Sequence, residues 1–448
     1  MAHLMVVGGS PLSGSIPVSG AKNSVLPLLA ASLLFREGCE IHNCPHLTDV
    51  EAAVEILRHL GCRVTWEDHT IRVDAKELIH NEIPQNMMTK MRSSILFLGP
   101  LMARLGSCWF TQPGGCSLGA RPIDLHLRGL QTLGAVVSQV ESTYFCSGKL
   151  RGGTVILPKA SVGATENLIL AALGASGVTT IVNAAREPEI CDLIGFLQAG
   201  GAKIDGAGTS VLQITGGLPD EAEYSVLPDR MEAATFLAAC ACAGGSICLQ
   251  RVEASHLQPV LQALEAAGCR IQTGQQEISI QAGPLRSIPP VRTAPYPGFP
   301  TDAQATMMAA MLRADGVTVF HETVFSNRYR HVPAFQALGA DIRISGSIAV
   351  VTGVSRLHGA HMEATDLRGG AAMVLASLGA EGASTVHGIG HMLRGYEDFS
   401  GRLSALGAQV RIVPDNDEGV SNEKRTEQQT APGTGAPGQP PSGPGCPV

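Results

Sequence analysis

A phrase of eight residues recurs six times along the chain and constrains its fold more than any other feature. The copies read LRHLGCRV, LQTLGAVV, LQAGGAKI, LEAAGCRI, FQALGADI and LSALGAQV. Glycine holds the fifth position of every copy, and successive glycines are 73, 67, 67, 71 and 68 residues apart. Such even spacing is typical of structural repeats that pack against their neighbours.

Each copy of the phrase follows an apolar segment of helical length. The six segments are NSVLPLLAASLL, SSILFLGPLMARLG, TENLILAALGAS, MEAATFLAACACAGG, AQATMMAAMLRADG and GAAMVLASLGAEG. A helix that is apolar on nearly all sides is buried. The helix of the recurring phrase is instead amphipathic and ends at glycine, the usual C-terminal stop, before a strand.

Each unit is therefore predicted to fold as strand–helix–strand–helix–strand. A unit of this size is too small to bury its own core comfortably. We predict an α/β fold in which three units pack around their buried helices as one domain, so that six units make two domains.

Charge and cysteine content exclude several classes of protein. The 448 residues include 32 basic and 39 acidic ones, a net charge of −7, and no dense basic run, which argues against nucleic acid as a partner. The 12 cysteines show no CxxC pair and no zinc-site spacing, and Cys240 and Cys242 lie in an apolar stretch, as in a reducing compartment. No signal peptide and no apolar run of membrane length is found. We expect a cytoplasmic protein without membrane insertion, metal or cofactor.

Basic residues lie beside small residues at the predicted helix ends of the repeats. Neither GxGxxG after the first strand nor GxxxxGK[ST] is present, so side chains would have to hold any phosphorylated ligand. Arginine suits this role because its fork donates two parallel hydrogen bonds to carboxylate or phosphate. Each residue alone could be a solvated surface charge, but six at equivalent junctions predict a site for an anionic small molecule. They are Lys22, Arg92, Arg121, Arg230, Arg368 and Arg394.

The stretch GGCSLGARPID, residues 114–124, is predicted to be a loop because of its glycines and proline. Its thiol, Cys116, lies five residues before Arg121. An exposed thiol near a cation ionises more easily and reacts as thiolate, and the glycines would let the loop close over a ligand. The alternative is an ordinary turn cysteine.

Carboxylates at two other places have alternative interpretations. Asp302, in PGFPTDAQATMM, either caps the following helix or acts as a general base toward a substrate hydroxyl. Glu187, Glu189 and Asp192, in AAREPEICD, could bind a metal. No partnering His or Asp stands at ligand spacing, so we favour a structural turn that leads into the next helix.

Residues 415–448 are polar and then rich in Pro, Gly and Ser, and are expected to be disordered.

Nine segments together resemble the UDP-N-acetylglucosamine 1-carboxyvinyltransferases, a family of enolpyruvyl transferases. The resemblance runs in order from about Gly8 to Val413 and includes the cysteine loop. The segments are SGAKNSVLPLLAASLL, MRSSILFLGPLMARLG, GGCSLGARPIDLHLRGLQTLGA, KASVGATENLIL, NAAREPEICD, FPTDAQA, NRYRHVPAFQALGA, DLRGGAAMVLA and RGYEDFSGRLSALGA.

This resemblance implies the enolpyruvyl transferase fold, an inside-out α/β barrel with helices inside and sheets outside each domain. The first domain would comprise residues 22–229, and the second residues 1–21 and 230–414. The chain would cross between them near residues 20–22 and 229–230, and ligands would bind in the cleft.

The resemblance also implies an activity and a set of site residues. The family transfers the enolpyruvyl group of phosphoenolpyruvate to the 3-hydroxyl of UDP-N-acetylglucosamine and releases phosphate, by addition and elimination. Cys116 matches the proton donor and Asp302 the base. Lys22, Arg121 and Arg394 match residues that hold phosphoenolpyruvate, with Arg92 and Arg368 close by. The remaining matches, around the sugar and uridine, are Asn23, Pro122, Ile123, Asp124, Leu125, Lys159, Ala160, Ser161, Val162, Gly163 and Val324.

One departure and two rival functions accompany this prediction. Leu393 stands where the family has an acidic residue before RGYE, which would loosen the setting of Arg394. A catalytically idle paralogue that binds nucleotide sugar and regulates a partner is one rival; transfer to another acceptor is the other. Retention of Cys116, Asp302 and the anion-binding arginines favours the transferase.

Overall fold

The computed structural model describes residues 2–114, 119 and 122–414. Two predicted site residues, Cys116 and Arg121, lie outside these residues, as does the predicted disordered tail, 415–448.

The chain alternates helices and short strands throughout. The elements of its first half are β1 (Ala2–Val7), β2 (Leu12–Pro17), α1 (Lys22–Ala31), β3 (Gly38–His42), α2 (Thr48–His59), β4 (Arg63–Glu67), β5 (Thr70–Asp74), α3 (Gln85–Met88), α4 (Leu98–Leu105), β6 (Ser107–Thr111), α5 (Asp124–Thr132), β7 (Val136–Val140), β8 (Thr143–Ser147), β9 (Thr154–Ile156), α6 (Val162–Ala172), β10 (Val178–Val182), α7 (Pro188–Ala199), β11 (Lys203–Asp205), β12 (Val211–Thr215) and β13 (Glu221–Ser225).

The second half follows the same alternation. Its elements are α8 (Arg230–Ala243), β14 (Gly245–Gln250), α9 (Gln258–Ala266), β15 (Arg270–Gly274), β16 (Glu277–Gln281), β17 (Val291–Arg292), α10 (Gln304–Met311), β18 (Val317–His321), α11 (Val332–Ala337), β19 (Asp341–Ser345), β20 (Ile348–Thr352), β21 (His361–Glu363), α12 (Leu367–Leu378), β22 (Ala383–His387), α13 (Phe399–Ala405) and β23 (Gln409–Pro414). Short 3₁₀ helices cover Ser32–Leu34, Arg92–Phe97, Ala254–Leu257, Thr301–Ala303 and Ile389–Arg394.

The six repeat glycines end six equivalent helices, as predicted. Each is the second residue after its helix, which is α2, α5, α7, α9, α11 or α13. Their φ angles lie between 92° and 107°, where a Cβ would be strained. Glycine at this position therefore lets the chain turn from the helix into the next strand. The residues are Gly61, Gly134, Gly201, Gly268, Gly339 and Gly407.

Each of the first five repeat units contains one strand more than the sequence predicted. After the glycine, the chain forms a hairpin of two strands in each of the first five units, as in β19 and β20, which pair antiparallel from Asp341↔Thr352 to Ser345↔Ile348. The sheet order is the same in each four-stranded sheet, as in β17-β18-β20-β19. The missed strand follows a turn of only two residues in four of these units and of five residues in the third, so the sequence pattern merged it with its neighbour.

Strands from distant parts of the chain complete three of the sheets. The N-terminal strand β1 lies between β22 and β23 and takes the place of the missing hairpin strand in the sixth unit. Strand β2 pairs parallel with β14 of the fourth unit, and β13 pairs parallel with β3 of the first. The sheet of the second unit has three strands, β6-β8-β7, among the described residues, with a single bridge, Glu82↔Trp109, beside them.

Buried apolar residues form two separate clusters, which we call the first core and the second core. The first core runs from Ala21 to Val226; the second takes residues 4–18 and 231–408. Helices α1, α4 and α6 are buried in the first core, and α8, α10 and α12 pack together in the second. The prediction of buried helices is therefore confirmed. None of the helices in the described residues is long and apolar enough to cross a membrane. The predicted domain boundaries stay a prediction, although core membership changes at the same places.

The two segments that connect the cores pair with each other. Gly20 and Pro228 form an antiparallel bridge, flanked by hydrogen bonds from Ala21 N to Leu227 O and from Asp229 N to Ser19 O, each 2.8 Å long. This pairing brings the starts of α1 and α8 side by side, one in each core.

Candidate active site between the two cores

The basic residues predicted to bind an anion lie at helix ends wherever the structure describes them. Lys22, Arg92 and Arg230 are the first residues of α1, of the 3₁₀ helix 92–97 and of α8. Arg368 is the second residue of α12, and Arg394 is the last residue of the 3₁₀ helix 389–394. Lys22, Arg230 and Arg368 are buried, so the alternative of a solvated surface charge is wrong for these three.

Asp49 joins two of these cations across the cores. Its carboxylate lies 2.7 Å from Lys22 Nζ and accepts hydrogen bonds from Arg394 Nε at 2.9 Å and Nη2 at 3.3 Å. Burial lowers the pKa of Lys22, Asp49 opposes this shift, and the charges of Arg394 and Arg368 lower the pKa further. Lys22 thus lies close enough to Arg394 and Arg368 to sense both charges, and such a group of cations suits an anionic ligand.

Asp302 lies between two buried arginines. It belongs to the 3₁₀ helix Thr301–Ala303, and no side-chain cap is found at the start of this helix or of α10 within the described residues. The helix-cap interpretation is therefore wrong. Its carboxylate instead lies 3.0 Å from Arg328 Nη2 and 3.5 Å from Arg368 Nη2. With 32% of its side chain exposed, Asp302 is fixed in place yet reachable.

Arg368 has donors to spare. Its Nε and Nη1 atoms are buried without a hydrogen-bond partner among the residues that the structure describes. The guanidinium group lies 5.2 Å from the centre of the Tyr396 ring, and Asp366 caps α12 by accepting from the backbone N–H of Arg368 at 3.1 Å. Because a buried donor without an acceptor is costly, these atoms favour the binding of an anion.

A second group of predicted residues surrounds His126. Burial and the charge of Arg92 lower the pKa of His126 to about 4, opposed by Asp124, so the imidazole is neutral at pH 7. Its Nδ1 accepts a hydrogen bond of 2.9 Å from the Asn167 amide. A Cβ at Gly163 would lie 3.3 Å from the imidazole Cε1. The beginnings of α5 and α6 thus meet near Arg92.

The remaining predicted contacts are more exposed. Ser161 caps α6 by accepting from Ala164 N at 3.5 Å, while Lys159 and Asn23 are exposed. Val324 is 44% exposed, but its backbone N–H donates to the buried Glu322 carboxylate at 2.7 Å. The same carboxylate accepts from Thr301 Oγ1 at 2.9 Å, which ties the segment of Val324 to the turn of Asp302.

The cysteine loop starts and ends on the first core. Gly114 N donates to Met88 O at 2.8 Å, and Ile123, at the other end, is buried. Gly119, with φ of 126°, lies against the second core: a Cβ built there would be 2.6 Å from Ser326 Oγ. Gly119 therefore lies close to the segment of Val324.

Two acidic residues for which the sequence favoured a structural role, Glu189 and Asp192, form buried contacts within the protein. Glu189 lies in α7 and forms a two-pronged buried pair with Arg230, at 2.9 and 3.1 Å, which links the cores. Asp192 accepts hydrogen bonds from Ser24 Oγ and, at 2.9 Å, from Tyr224 OH. The sequence predicted that Arg230 would bind an anionic ligand. In the structure it is instead paired with a carboxylate of the protein, that of Glu189.

Sequence reasoning missed Asp49, Arg328 and His126. Asp49 stands in the first turn of α2, where an acidic residue is unremarkable because it favours any helix N-terminus. Arg328 contacts Asp302 from 26 residues away, so no local pattern links the two.

Comparisons with known proteins agree with this architecture. The family model described as EPSP synthase (3-phosphoshikimate 1-carboxyvinyltransferase) matches residues 6–403. UDP-N-acetylglucosamine 1-carboxyvinyltransferase 2 of Caldanaerobacter subterraneus subsp. tengcongensis is 43% identical over 417 residues, which cover 92% of this chain and 100% of that protein. UDP-N-acetylglucosamine 1-carboxyvinyltransferase of Xylella fastidiosa is 45% identical over 428 residues, with 92% and 99% covered.

Solved structures share the fold. The enolpyruvyl transferase NikO from Streptomyces tendae superposes with a TM-score of 0.84 at 25% identity, and 92% of this chain and 99% of that chain are covered. EPSP synthase from Acinetobacter baumannii gives 0.74 at 19% identity, with 92% and 100% covered, and shows the fold alone. The six repeats, the two cores and these matches lead to one assignment: the chain belongs to the EPSP synthase family and, within it, to the UDP-N-acetylglucosamine 1-carboxyvinyltransferases.

Proposed function

We propose that this enzyme transfers the enolpyruvyl group of phosphoenolpyruvate to the 3-hydroxyl of UDP-N-acetylglucosamine and releases phosphate. Relatives named for this reaction are 43% and 45% identical over 92% of the chain. One structural observation carries the proposal: the buried Arg368 holds two unpartnered donors close to Lys22 and Arg394. Phosphoenolpyruvate, which bears a carboxylate and a phosphate, has the charge that such a site requires.

The substrates are assigned to two parts of the site. Lys22, Arg368 and Arg394, together with Arg92 and Arg121, hold the phosphate and carboxylate of phosphoenolpyruvate. The nucleotide sugar lies against Asn23 and residues 122–125, 159–163 and 324. Neutral His126 supports this second part, because an uncharged buried imidazole fixes the starts of α5 and α6 without adding charge.

The reaction proceeds by addition and elimination. Asp302 takes the proton of the 3-hydroxyl as its oxygen bonds to C2 of phosphoenolpyruvate, and Cys116 donates a proton to C3. The resulting tetrahedral ketal then loses a proton from C3, the bond from C2 to the phosphate oxygen breaks, and the enolpyruvyl double bond forms again. Fixed cations in a closed cleft stabilise the charge on the carboxylate and on the departing phosphate.

The two cores, on this proposal, are two domains, 22–229 and 1–21 with 230–414, and the substrates bind between them. The paired connections at Gly20 and Pro228 allow the domains to close, and the loop of Cys116 closes over the nucleotide sugar.

The reaction is the first committed step of peptidoglycan synthesis. It takes place in the cytoplasm and serves the cell wall, cell shape and the cell division cycle. The epoxide fosfomycin would inactivate the enzyme at Cys116.

The alternative, an idle paralogue that binds nucleotide sugar, is not favoured. An inactive copy has no use for Cys116 or for a carboxylate held by two arginines beside a cation cluster.

An acceptor test distinguishes this activity from others in the family. The enzyme is incubated with phosphoenolpyruvate and either UDP-N-acetylglucosamine or shikimate 3-phosphate, and the products are identified by mass spectrometry. We expect the nucleotide sugar alone to gain an enolpyruvyl group. Modification of shikimate 3-phosphate, or of neither acceptor, would refute the proposal.

A further inference from the structure

We propose that His46, His69 and Glu397 form a binding site for a divalent transition-metal ion of the zinc type, which ties the two cores together. None of its three residues has a role in the proposed reaction. Its residues come from three places in the sequence and from both halves of the fold.

The three side chains present their ligand atoms to one another. One nitrogen of each histidine and one carboxylate oxygen all lie within 4.8 Å of each other. His69 Nε2 is 3.0 Å from Glu397 Oε1, and the two imidazole rings meet edge to face with centres 5.0 Å apart. Zinc binds imidazole nitrogen and carboxylate oxygen at about 2.0–2.2 Å. Small side-chain rotations are therefore enough to bring all three atoms onto one ion.

The two histidines are held in position by the first core. His46 stacks on Trp66 of β4, with ring centres 4.8 Å apart and planes 1° from parallel. The neighbouring Cys44 N donates to His69 O at 2.8 Å, which joins the segment of His46 to the β4–β5 turn. The stacking orients the His46 ring, and the backbone hydrogen bond fixes the segment of His69 beside it.

The third ligand comes from the second core. Glu397 lies three residues after Arg394 and just before α13. Its side chain is 20% exposed, whereas that of His69 is 54% exposed. His69 and Glu397 also line an open cleft of about 670 Å³ between the cores. Solvent can thus supply the fourth ligand of a tetrahedral ion held by three protein ligands.

A simple ion pair between His69 and Glu397 is the competing explanation. Exposed pairs of this kind contribute little, and an ion pair would not need His46. A metal site requires all three residues, so the two explanations differ in what the loss of His46 does.

The experiment is a calorimetric titration of the untagged full-length protein with ZnCl₂. We expect one zinc ion per chain at this site. His46→Ala and Glu397→Gln should each weaken zinc affinity at least about tenfold, because the loss of an outer-shell partner alone already costs that much. The control is His80→Ala. His59 and His80 also stack, at 4.9 Å, but belong to no group of three potential metal ligands within the described residues. This control should bind zinc like the parent protein.

Two further readouts test the geometry and the link between cores. Co²⁺ should give the d–d absorption of a tetrahedral ion with nitrogen and oxygen ligands, without a thiolate charge-transfer band. Zinc should raise the unfolding temperature of the parent and the control but not of either ligand variant. Zinc affinity unchanged by His46→Ala would overturn the site, and affinity unchanged by Glu397→Gln would overturn the link between cores.

Discussion

Arg394 of the second core and Asp49 of the first meet in a two-pronged ion pair, with Nε 2.9 Å from Oδ1 and Nη2 3.3 Å from Oδ2. The same carboxylate lies 2.7 Å from Lys22 Nζ. Asp49 therefore positions two cations that we assign to phosphoenolpyruvate. One of them, Lys22, comes from the first core and the other, Arg394, from the second.

Asp49→Asn is expected to move the alkaline limit of activity to lower pH. Activity that needs charged Lys22 is lost as the pH rises through its pKa. Burial already places that pKa below the ordinary 10.5, and the loss of the Asp49 charge lowers it further. The KM for phosphoenolpyruvate should also rise about tenfold or more, because the cations lose their alignment.

The pH dependence of kcat/KM for phosphoenolpyruvate measures this shift. Asp220→Asn is the control, since Asp220 is 71% exposed and pairs with Arg36 on the surface. An alkaline limit that is the same in Asp49→Asn as in the parent would contradict the role assigned to Asp49.

Arg368→Lys should lower kcat/KM for phosphoenolpyruvate about 100-fold, the usual cost of losing one donor to a developing charge. Lysine keeps the charge but lacks the fork whose Nε and Nη1 atoms are unpartnered among the described residues. Steady-state kinetics check this, with Arg356→Lys, a change at a side chain that is 77% exposed, as the control. Equal losses in both variants would argue against a specific anion contact at Arg368.

Cys116 is tested by two substitutions. Cys116→Asp should keep substantial turnover and resist fosfomycin, because a carboxyl group can donate a proton but only the thiolate is alkylated. Cys116→Ser should lose activity at neutral pH, since a hydroxyl is a far weaker acid. Turnover and time-dependent inactivation are measured side by side. Inactivation of Cys116→Asp by the epoxide would point to another nucleophile, and parent-like rates in Cys116→Ser would exclude the proton-donor role.

Glu166→Gln should stabilise the protein at high pH. Burial, together with the charges of Glu189 and Glu187, raises the pKa of Glu166 to about 8. The fold therefore favours the protonated acid: this stabilisation is complete below the unfolded value of 4.5 and is lost as the pH rises through 8.

Denaturant unfolding at pH 5 and pH 9 checks this prediction. The variant should lie within about 1 kcal/mol of the parent at pH 5 and should exceed its free energy of unfolding at pH 9 by at most about 5 kcal/mol. Glu277→Gln, at an exposed site, should match the parent at both pH values. A Glu166→Gln variant no more stable than the parent at pH 9 would contradict the raised pKa.

Deletion of residues 415–448 should leave activity and unfolding temperature unchanged. The last described strand ends at Pro414, which pairs with Ala2 of β1, and the removed sequence has almost nothing to bury. Activity assays and thermal unfolding of the shortened chain test this. A large loss of either would mean that the tail is part of the fold.

Local features of the sequence predicted much of this structure. The repeat glycines were predicted correctly because the backbone adopts a positive φ two residues after each of these helices, where glycine is favoured. The buried helices were recognisable because they are apolar on nearly every side. The second hairpin strand was missed because only a short turn separates it from the first.

Contacts between distant residues could not be predicted in this way. Asp49 meets Arg394 across 345 residues, and Glu189 meets Arg230 across 41, so only the folded chain shows which cation has a partner. The same holds for His46, His69 and Glu397. A search for metal-ligand spacing fails there because the third ligand lies 328 residues after His69.

The release of phosphate from phosphoenolpyruvate, measured with and without UDP-N-acetylglucosamine, tests the central claim most directly. We predict phosphate release only when the nucleotide sugar is present, because the phosphate departs after the sugar hydroxyl has added to C2. No release from an enzyme that nonetheless binds the nucleotide sugar, or equal release without it, would contradict the account.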